Sequence, residues 1–178
     1  MSIKTNTLYN FLKVLSWIIF LALCVQTGAF IFNYVFSLFK PIATQDLYLE
    51  LDLSELYESS KADYSILFLL LIATSALKSF LFYWVVSLFR KLNFVRPFSA
   101  EIVTQIVRIG YIAVIAGLLS ILALQYALQL ESKGNDLSFI TKYWNDYAGF
   151  LMMGVVVFVI VQIFKKGIEL QNENDLTL

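Results

Sequence analysis

Residues 66–89 read ILFLLLIATSALKSFLFYWVVSLF, and Lys78 is the one charged residue among them. As a helix, this stretch is about 36 Å long, enough to cross a hydrocarbon core of about 30 Å. Three further apolar blocks of comparable kind occupy residues 11–39, 102–130 and 147–164. The sequence therefore predicts an all-α membrane protein, a four-transmembrane-helix bundle in one domain, 1–178.

The helix boundaries follow from where the apolar blocks end. We expect helices over about 8–39, 64–91, 99–131 and 145–170, with extracytoplasmic loops over 40–63 and 132–144. The first apolar block is too long for a signal peptide and lacks a small-residue cleavage site after it, so we interpret it as a retained helix.

The composition agrees with this class and excludes several kinds of site. Hydrophobic residues make up 60% of the chain and charged residues 15%, whereas soluble domains are about one-quarter charged. The net charge of zero gives no support to direct nucleic-acid binding. With no histidine and one cysteine, Cys24, the chain offers few metal or haem ligands, so we expect no metal, cofactor or catalytic residue.

The charges of the connecting segments predict the orientation in the membrane. Basic residues lie before the first block, between the second and third, and after the fourth, while acidic residues dominate the other two loops. Since cytoplasmic loops carry an excess of lysine and arginine, both termini are expected in the cytoplasm, with the chain as a multi-pass protein of the cell (inner) membrane. The basic residues are Lys4, Lys13, Arg90, Lys91, Arg96, Arg108, Lys165 and Lys166.

Both outer loops contain patterns typical of short β-strands. In DLYLELDLSELY, residues 46–57, leucines alternate with acidic residues, which is the period of a strand. A short helix on the membrane surface is the competing interpretation. LSFITKYW, residues 137–144, is a weaker candidate strand, and the two loops could form a small outer sheet.

The third helix has a recognisable start and a packing face. Ser99 follows Pro97 and is placed to accept the first free amide hydrogens as N-cap. Small residues then recur on one face, which lets another helix backbone approach closely. This predicted packing face consists of Gly110, Ala113, Gly117 and Ser120.

Lys78 is the candidate binding residue, because counting places it near the middle of the second span. No acidic residue lies deep in any span, so a counter-ion within the chain is not expected, and a lysine reaches only about 6 Å of the 15 Å to the interface. Three interpretations remain open: Lys78 is neutral, it is charged and solvated by nearby polar groups, or it holds an external anion such as a lipid headgroup, a ligand or a partner's carboxylate. The predicted ligand site consists of Lys78, Gln26, Thr27, Thr74 and Ser75.

Two motifs carry a family resemblance: RPFSAEIVTQIVRIG, residues 96–110, and IFKKGIELQNENDLTL, residues 163–178. They resemble a bacterial four-helix membrane family of unknown function, the YoaS-like group, over essentially the whole chain. In that family a gene for a small helix-turn-helix regulator is often adjacent, which implies a link to transcription regulation.

For the C-terminal tail, a frayed helix end is the first interpretation, and a docking segment for a cytoplasmic protein is the competing functional one. The docking candidates are Lys165, Lys166, Glu169 and Asp175.

The leading hypothesis for the function is a non-enzymatic protein with a regulatory or sensory role. The alternatives are a small transporter or channel, which would need a pore or a homo-oligomer, and a protein that binds an anion or anionic lipid through Lys78. A lipid-modifying enzyme is disfavoured, because no nucleophile–base pair is evident.

Overall fold

The computed structural model describes the backbone of residues 3–40, 44, 47, 52–92 and 99–176, and the side chains of these residues from 7 to 173. These described residues form four long helices and two short ones. They are α1 (Ile3–Phe39), α2 (Ser54–Ser59), α3 (Lys61–Lys91), α4 (Ala100–Glu131), α5 (Ser138–Thr141) and α6 (Tyr147–Leu176). All four long helices are long and apolar enough to cross a membrane, so the fold is an all-α, four-helix, membrane-type bundle.

The long helices pack in chain order. α1 packs on α3, α3 on α4, and α4 on α6. Half of the most apolar window of α4 is buried, against 11% of that of α6. The outer helices α1 and α6 therefore present most of their apolar surface outwards, as expected of helices that face lipid acyl chains.

Local capping explains where α3 and α4 begin. The side chain of Ser60 accepts a hydrogen bond from the amide of Asp63, and that of Ser99 accepts one from the amide of Ile102. Each serine satisfies one of the free amide groups of a first helical turn. The predicted N-cap at Ser99 is confirmed, whereas Pro97 lies outside the described residues.

The small residues of α4 lie against α6. A Cβ atom at Gly117 would be 2.8 Å from Cγ of Leu151, and one at Gly110 would be 3.1 Å from the Phe158 ring. Ala113 and Ser120 are fully buried. The two backbones can approach closely here because these positions lack bulky side chains.

Replacing Gly154 tests this close approach. The Cβ atom of Gly154→Ala would lie 2.5 Å from Cγ2 of Val114, and a valine on a helix has little freedom to rotate away. We expect the free energy of unfolding to fall by about 1–3 kcal/mol, measured by thermal unfolding in detergent. Gly149→Ala is the matched control on the same helix, with no atom within 4 Å of the new methyl group. Equal melting temperatures for the two variants would contradict the prediction.

α6 begins only about halfway along α4. A Cβ atom at Gly117 would be 3.1 Å from the carbonyl oxygen of Tyr147, the first residue of α6. From Gly117 to Glu131, α4 continues for about 21 Å beyond the start of α6. The segment 132–146 occupies part of the space beside that half of α4, and its residues Leu137, Ile140 and Trp144 are fully buried.

At its other end α6 extends beyond its neighbour. Ile168 is the last α6 residue packed against the cluster around Ile102 and Val103 near the start of α4. The helix then continues to Leu176, which is roughly 12 Å further. We call residues 169–176 the α6 projection.

The end of the bundle formed by α2, α5 and the segment 132–146, which we call the capped end, consists of short helices, turns and irregular segments where the structure describes it, with an isolated bridge residue at Leu47. Residues 138–141 form α5 and residues 142–146 form turns, so the predicted strand over 137–144 is wrong. Ser54–Ser59 form α2, so residues 54–57 of the other predicted strand are helical too. Residues 46 and 48–51 lie outside the described part. The side chains of Leu53, Leu56 and Ile140 are buried in the core. Burial of these side chains outweighs the strand preference of the sequence pattern.

Candidate functional site

Lys78 has an ion-pair partner within the chain. Its ammonium group donates hydrogen bonds to Oδ2 of Asp146, at 2.6 Å, and to the carbonyl oxygen of Tyr143, at 2.8 Å. The ammonium also lies 5.3 Å from the centre of the Phe150 ring. The expectation that no carboxylate in the chain could reach Lys78 is therefore wrong.

The late start of α6 explains how Asp146 comes within reach. Asp146 immediately precedes α6, and α6 begins level with the middle of α4 rather than at the end of the bundle. In addition, side chains on a helix tilt towards its N-terminus, which for α3 is the capped end. The Lys78 side chain therefore extends towards Asp146, and the side chains of Lys78 and Asp146 remain 13% and 49% exposed.

Asp146 lies at the start of the apolar run of α6. This run, residues 147–164, is about 27 Å long, close to the thickness of a hydrocarbon core. The ion pair therefore joins Lys78 to the polar end of this run. The pairing could not be inferred from the sequence, because it depends on how far α6 is displaced along α4.

The other residues of the predicted ligand site divide into two groups. Gln26, Thr74 and Ser75 line a cavity of about 20 Å³ beside Lys78, room for about one water molecule. Thr27 instead belongs to a cluster between α1 and α3, with its hydroxyl 2.8 Å from that of Ser75 and 3.0 Å from that of Ser79. The cavity beside Lys78 is too small for a phosphate or a lipid headgroup.

Trp144 anchors the segment that carries Asp146. It is fully buried, and its indole N–H donates to Oγ1 of Thr74 at 3.0 Å. Next to it, the ring of Tyr143 lies edge-on to Phe30, with ring centres 5.4 Å apart. Together with the Lys78–Asp146 pair, these contacts attach the segment to α1 and α3, so Lys78 has a structural role.

The two short helices of the capped end begin with the same tripeptide, Asp-Leu-Ser, which the sequence analysis missed. Oδ1 of Asp52 accepts from the hydroxyl and amide of Ser54, and Oδ1 of Asp136 accepts from those of Ser138. These hydrogen bonds, the side-chain one first, lower the pKa of both aspartates. Their stabilising effect is therefore present at neutral pH and lost as the pH falls through the lowered pKa.

A second pocket, of about 560 Å³, lies between α3 and α4 at the opposite end of the bundle, and the sequence analysis also missed it. We call it the basic pocket. Gln105, inside it, is 2% exposed. A possible signal was the spacing of Glu101, Gln105 and Arg108 on one face of α4. The lining residues are Tyr83, Trp84, Ser87, Arg90, Lys91, Glu101, Thr104, Gln105 and Arg108.

The predicted docking residues lie along the end of α6. Lys165, Lys166 and Glu169 are exposed, and Nζ of Lys166 is 2.8 Å from Oε2 of Glu169. Asp175 is on the α6 projection, and its side chain is outside the described residues. α6 is helical as far as Leu176, so the helix includes Asp175.

Comparison with known proteins gives one match. Residues 49–178 match the model of a family described as "Protein of unknown function (DUF2975)". The chain belongs to this family. The matched part of this DUF2975 protein contains Lys78, Asp146 and the α3 and α4 residues of the basic pocket, and it excludes α1. No curated protein and no solved structure matches the chain. The predicted membership of a membrane family of unknown function is confirmed.

Proposed function

We propose that this integral membrane protein is non-enzymatic and has a regulatory or sensory role towards a cytoplasmic protein, which it contacts through the α6 projection. The observation that carries the proposal is the length of α6. α6 continues from its last packed residue, Ile168, to Leu176, so a helical extension leaves the bundle at this end. The projection exposes Glu169 and Leu170, a charged and an apolar group side by side, and such a surface suits a protein partner.

The proposal places the α6 projection in the cytoplasm of a bacterial cell, at the inner membrane. The end of the bundle that carries the projection holds the basic residues Arg90, Lys91 and Arg108, and the capped end holds acidic ones, such as Asp52 and Asp136. The positive-inside rule supports this orientation. The gene neighbourhood implied by the family resemblance makes a helix-turn-helix regulator the first partner to test, with nucleic acid contacted by that regulator and not by this chain.

The competing transporter or channel hypothesis receives less support. It used Lys78 as an anion site, and the ammonium group is already engaged by Asp146 and Tyr143 beside a cavity of about 20 Å³. Association of copies through the exposed apolar faces of α1 and α6 remains a prediction, with the oligomeric state in detergent as its measurement.

Site-specific photo-crosslinking in living cells tests the proposed contact. We expect a photoreactive amino acid at Glu169 or Asp175 to give the same discrete protein adduct, because both positions lie on the α6 projection. Deleting residues 171–178 should abolish the adduct formed from position 169 and change the transcript level of the partner's target genes severalfold.

The matched control carries the same photoreactive group at Ser138, which is exposed at the capped end. An adduct of the same mass from Ser138 would show that the crosslinked protein contacts both ends of the bundle and is not specific for the α6 projection. Absence of any adduct under several growth conditions, together with unchanged transcripts in the deletion strain, would overturn the proposed function. Labelling of single cysteines at 138 and 172 with a membrane-impermeant thiol reagent, in a Cys24→Ser background, tests the orientation separately.

A further inference from the structure

The basic pocket contains a buried polar side chain without a partner. Gln105 is 2% exposed, and neither its amide nitrogen nor its amide oxygen has a hydrogen-bond partner within the described part of the chain. Leaving a buried polar group unpaired costs about 1–3 kcal/mol, so native structures seldom tolerate it. Because Gln105 lines the pocket, a ligand there could supply both missing hydrogen bonds.

The charges around Gln105 favour an anion. Arg90, Lys91 and Arg108 line the pocket together with one carboxylate, that of Glu101. The ammonium of Lys91 is 2.5 Å from Oε1 of Glu101, which neutralises that pair. The two arginines retain their charge for a ligand, and arginine is the side chain best suited to bidentate contact with phosphate.

One of these arginines is held in position by an aromatic ring. The guanidinium of Arg108 lies 4.5 Å from the centre of the Trp84 ring, which restrains the side chain without using its hydrogen-bond donors. The donors of Arg108 therefore remain available to an anion beside Gln105.

The depth of the basic pocket suits a lipid headgroup. Val161 of α6 packs against Val103 and Ile106 of α4, so Gln105 is level with the last turns of the apolar run 147–164. The apolar runs of α3 and α6 both end near this level, at Phe89 and Phe164. The basic pocket thus lies at the level where phosphates meet acyl chains, a place where basic pockets between helices bind anionic headgroups.

An apolar groove continues from the basic pocket towards the middle of the bilayer. The groove lies between α1 and α3, has a volume of about 490 Å³, and shares Tyr83 with the basic pocket. Ala76, Phe80, Tyr83 and Ser87 recur at spacings of three and four, so they form one stripe along α3. A headgroup in the basic pocket would therefore direct an acyl chain into the groove.

From these observations we propose that the chain binds one anionic phospholipid, with its phosphate in the basic pocket beside Gln105 and Arg108 and one acyl chain in the groove lined by Tyr83 and Phe80. The site is separate from Lys78, which lies on another face of α3. The inference does not depend on the proposed regulatory role.

Native mass spectrometry of delipidated protein titrated with lipid tests the proposal. We expect one phosphatidylglycerol to bind at least about tenfold more tightly than phosphatidylcholine, and Arg90→Gln/Arg108→Gln to weaken phosphatidylglycerol binding about tenfold or more. The matched control is Lys165→Gln/Lys166→Gln, which removes the same charge from the same end outside the pocket and should change the affinity less than about threefold. Equal binding of the two lipids, or equal loss in the two double variants, would overturn the site.

Gln105→Leu gives an independent test, because it separates ligand binding from folding. Removing the unpaired amide should raise the melting temperature of the lipid-free protein by about 2–4 °C and at the same time weaken phosphatidylglycerol binding several-fold. A variant that binds phosphatidylglycerol as tightly as the wild type shows that Gln105 does not contact the headgroup, and contradicts the proposal.

Two further arms identify the source of the phosphate. Inorganic phosphate at millimolar concentration should not displace bound phosphatidylglycerol, and displacement would assign the pocket to free phosphate instead of a lipid. A fluorophore on Cys24, the single cysteine, which lines the groove, should be quenched by phosphatidylglycerol with brominated acyl chains. If brominated phosphatidylcholine quenches the fluorophore as strongly as brominated phosphatidylglycerol, the groove is not the acyl-chain site.

Discussion

Trp144→Ala is expected to cause the largest loss of stability of any single substitution considered for this protein. The Trp144 side chain is fully buried among residues of α3, α4 and the capped end, including Phe68 and Ala127. Truncating a buried tryptophan to alanine costs about 3–5 kcal/mol, because the removed ring leaves a cavity that the surroundings fill only in part. The melting temperature in detergent should therefore fall by on the order of 10 °C.

Two variants show which part of the tryptophan matters. Trp144→Phe keeps most of the ring and removes the N–H donated to Thr74, so we expect a loss of only about 0.5–1.5 kcal/mol. Trp17→Ala is the control for removing an indole, because Trp17 is 38% exposed on α1 and should matter much less. If Trp17→Ala destabilises the protein as much as Trp144→Ala, the segment 132–146 is not anchored as described.

Lys78→Met is expected to weaken the attachment of the segment 132–146 by removing its ion pair with Asp146. Methionine retains most of the length and apolar character of the lysine stem, while Asp146 and the carbonyl of Tyr143 lose their donor. We expect a loss of about 1–3 kcal/mol in the free energy of unfolding. Hydrogen exchange should also become faster in residues 137–147 than elsewhere in the chain.

A double-mutant cycle isolates the ion pair. Lys78→Met and Asp146→Asn should be non-additive, with a coupling of about 0.5–3 kcal/mol, because each removes the same contact. Lys142→Met provides the control, since Lys142 is an exposed lysine of the same segment. Additive effects of the two substitutions would show that the pair contributes nothing to docking of the segment. Strong binding of an anion that Lys78→Met abolishes would restore Lys78 as a ligand site.

The two predictions together give two polar residues of α3, Thr74 and Lys78, a shared structural role. Thr74 accepts from Trp144, and Lys78 binds Asp146, so both residues serve the attachment of the segment that precedes α6. This segment leads directly into Tyr147, the first residue of α6.

Local features of the chain could be predicted from the sequence because they depend on neighbouring residues. Four long helices follow from the length and composition of the apolar blocks, and the start of α4 follows from Ser99. The stretch 137–144 was misinterpreted because its β-branched and aromatic residues favour a strand, while burial of Leu137, Ile140 and Trp144 on one side requires turns. Intrinsic preference is weaker than the free energy of burying these side chains.

Composition and charge alone are enough to infer the class of the molecule, the lengths of its spans and the charge asymmetry of its ends. The relative depth of the helices depends on packing between distant segments, because it is set by how far one helix is displaced along another. Lys78 meets Asp146, 68 residues away, because α6 starts level with the middle of α4. Gln105 and Arg108 of α4 meet Trp84 of α3 in a pocket that the spacing of residues on α4 indicates only in part, because such contacts join residues from different helices.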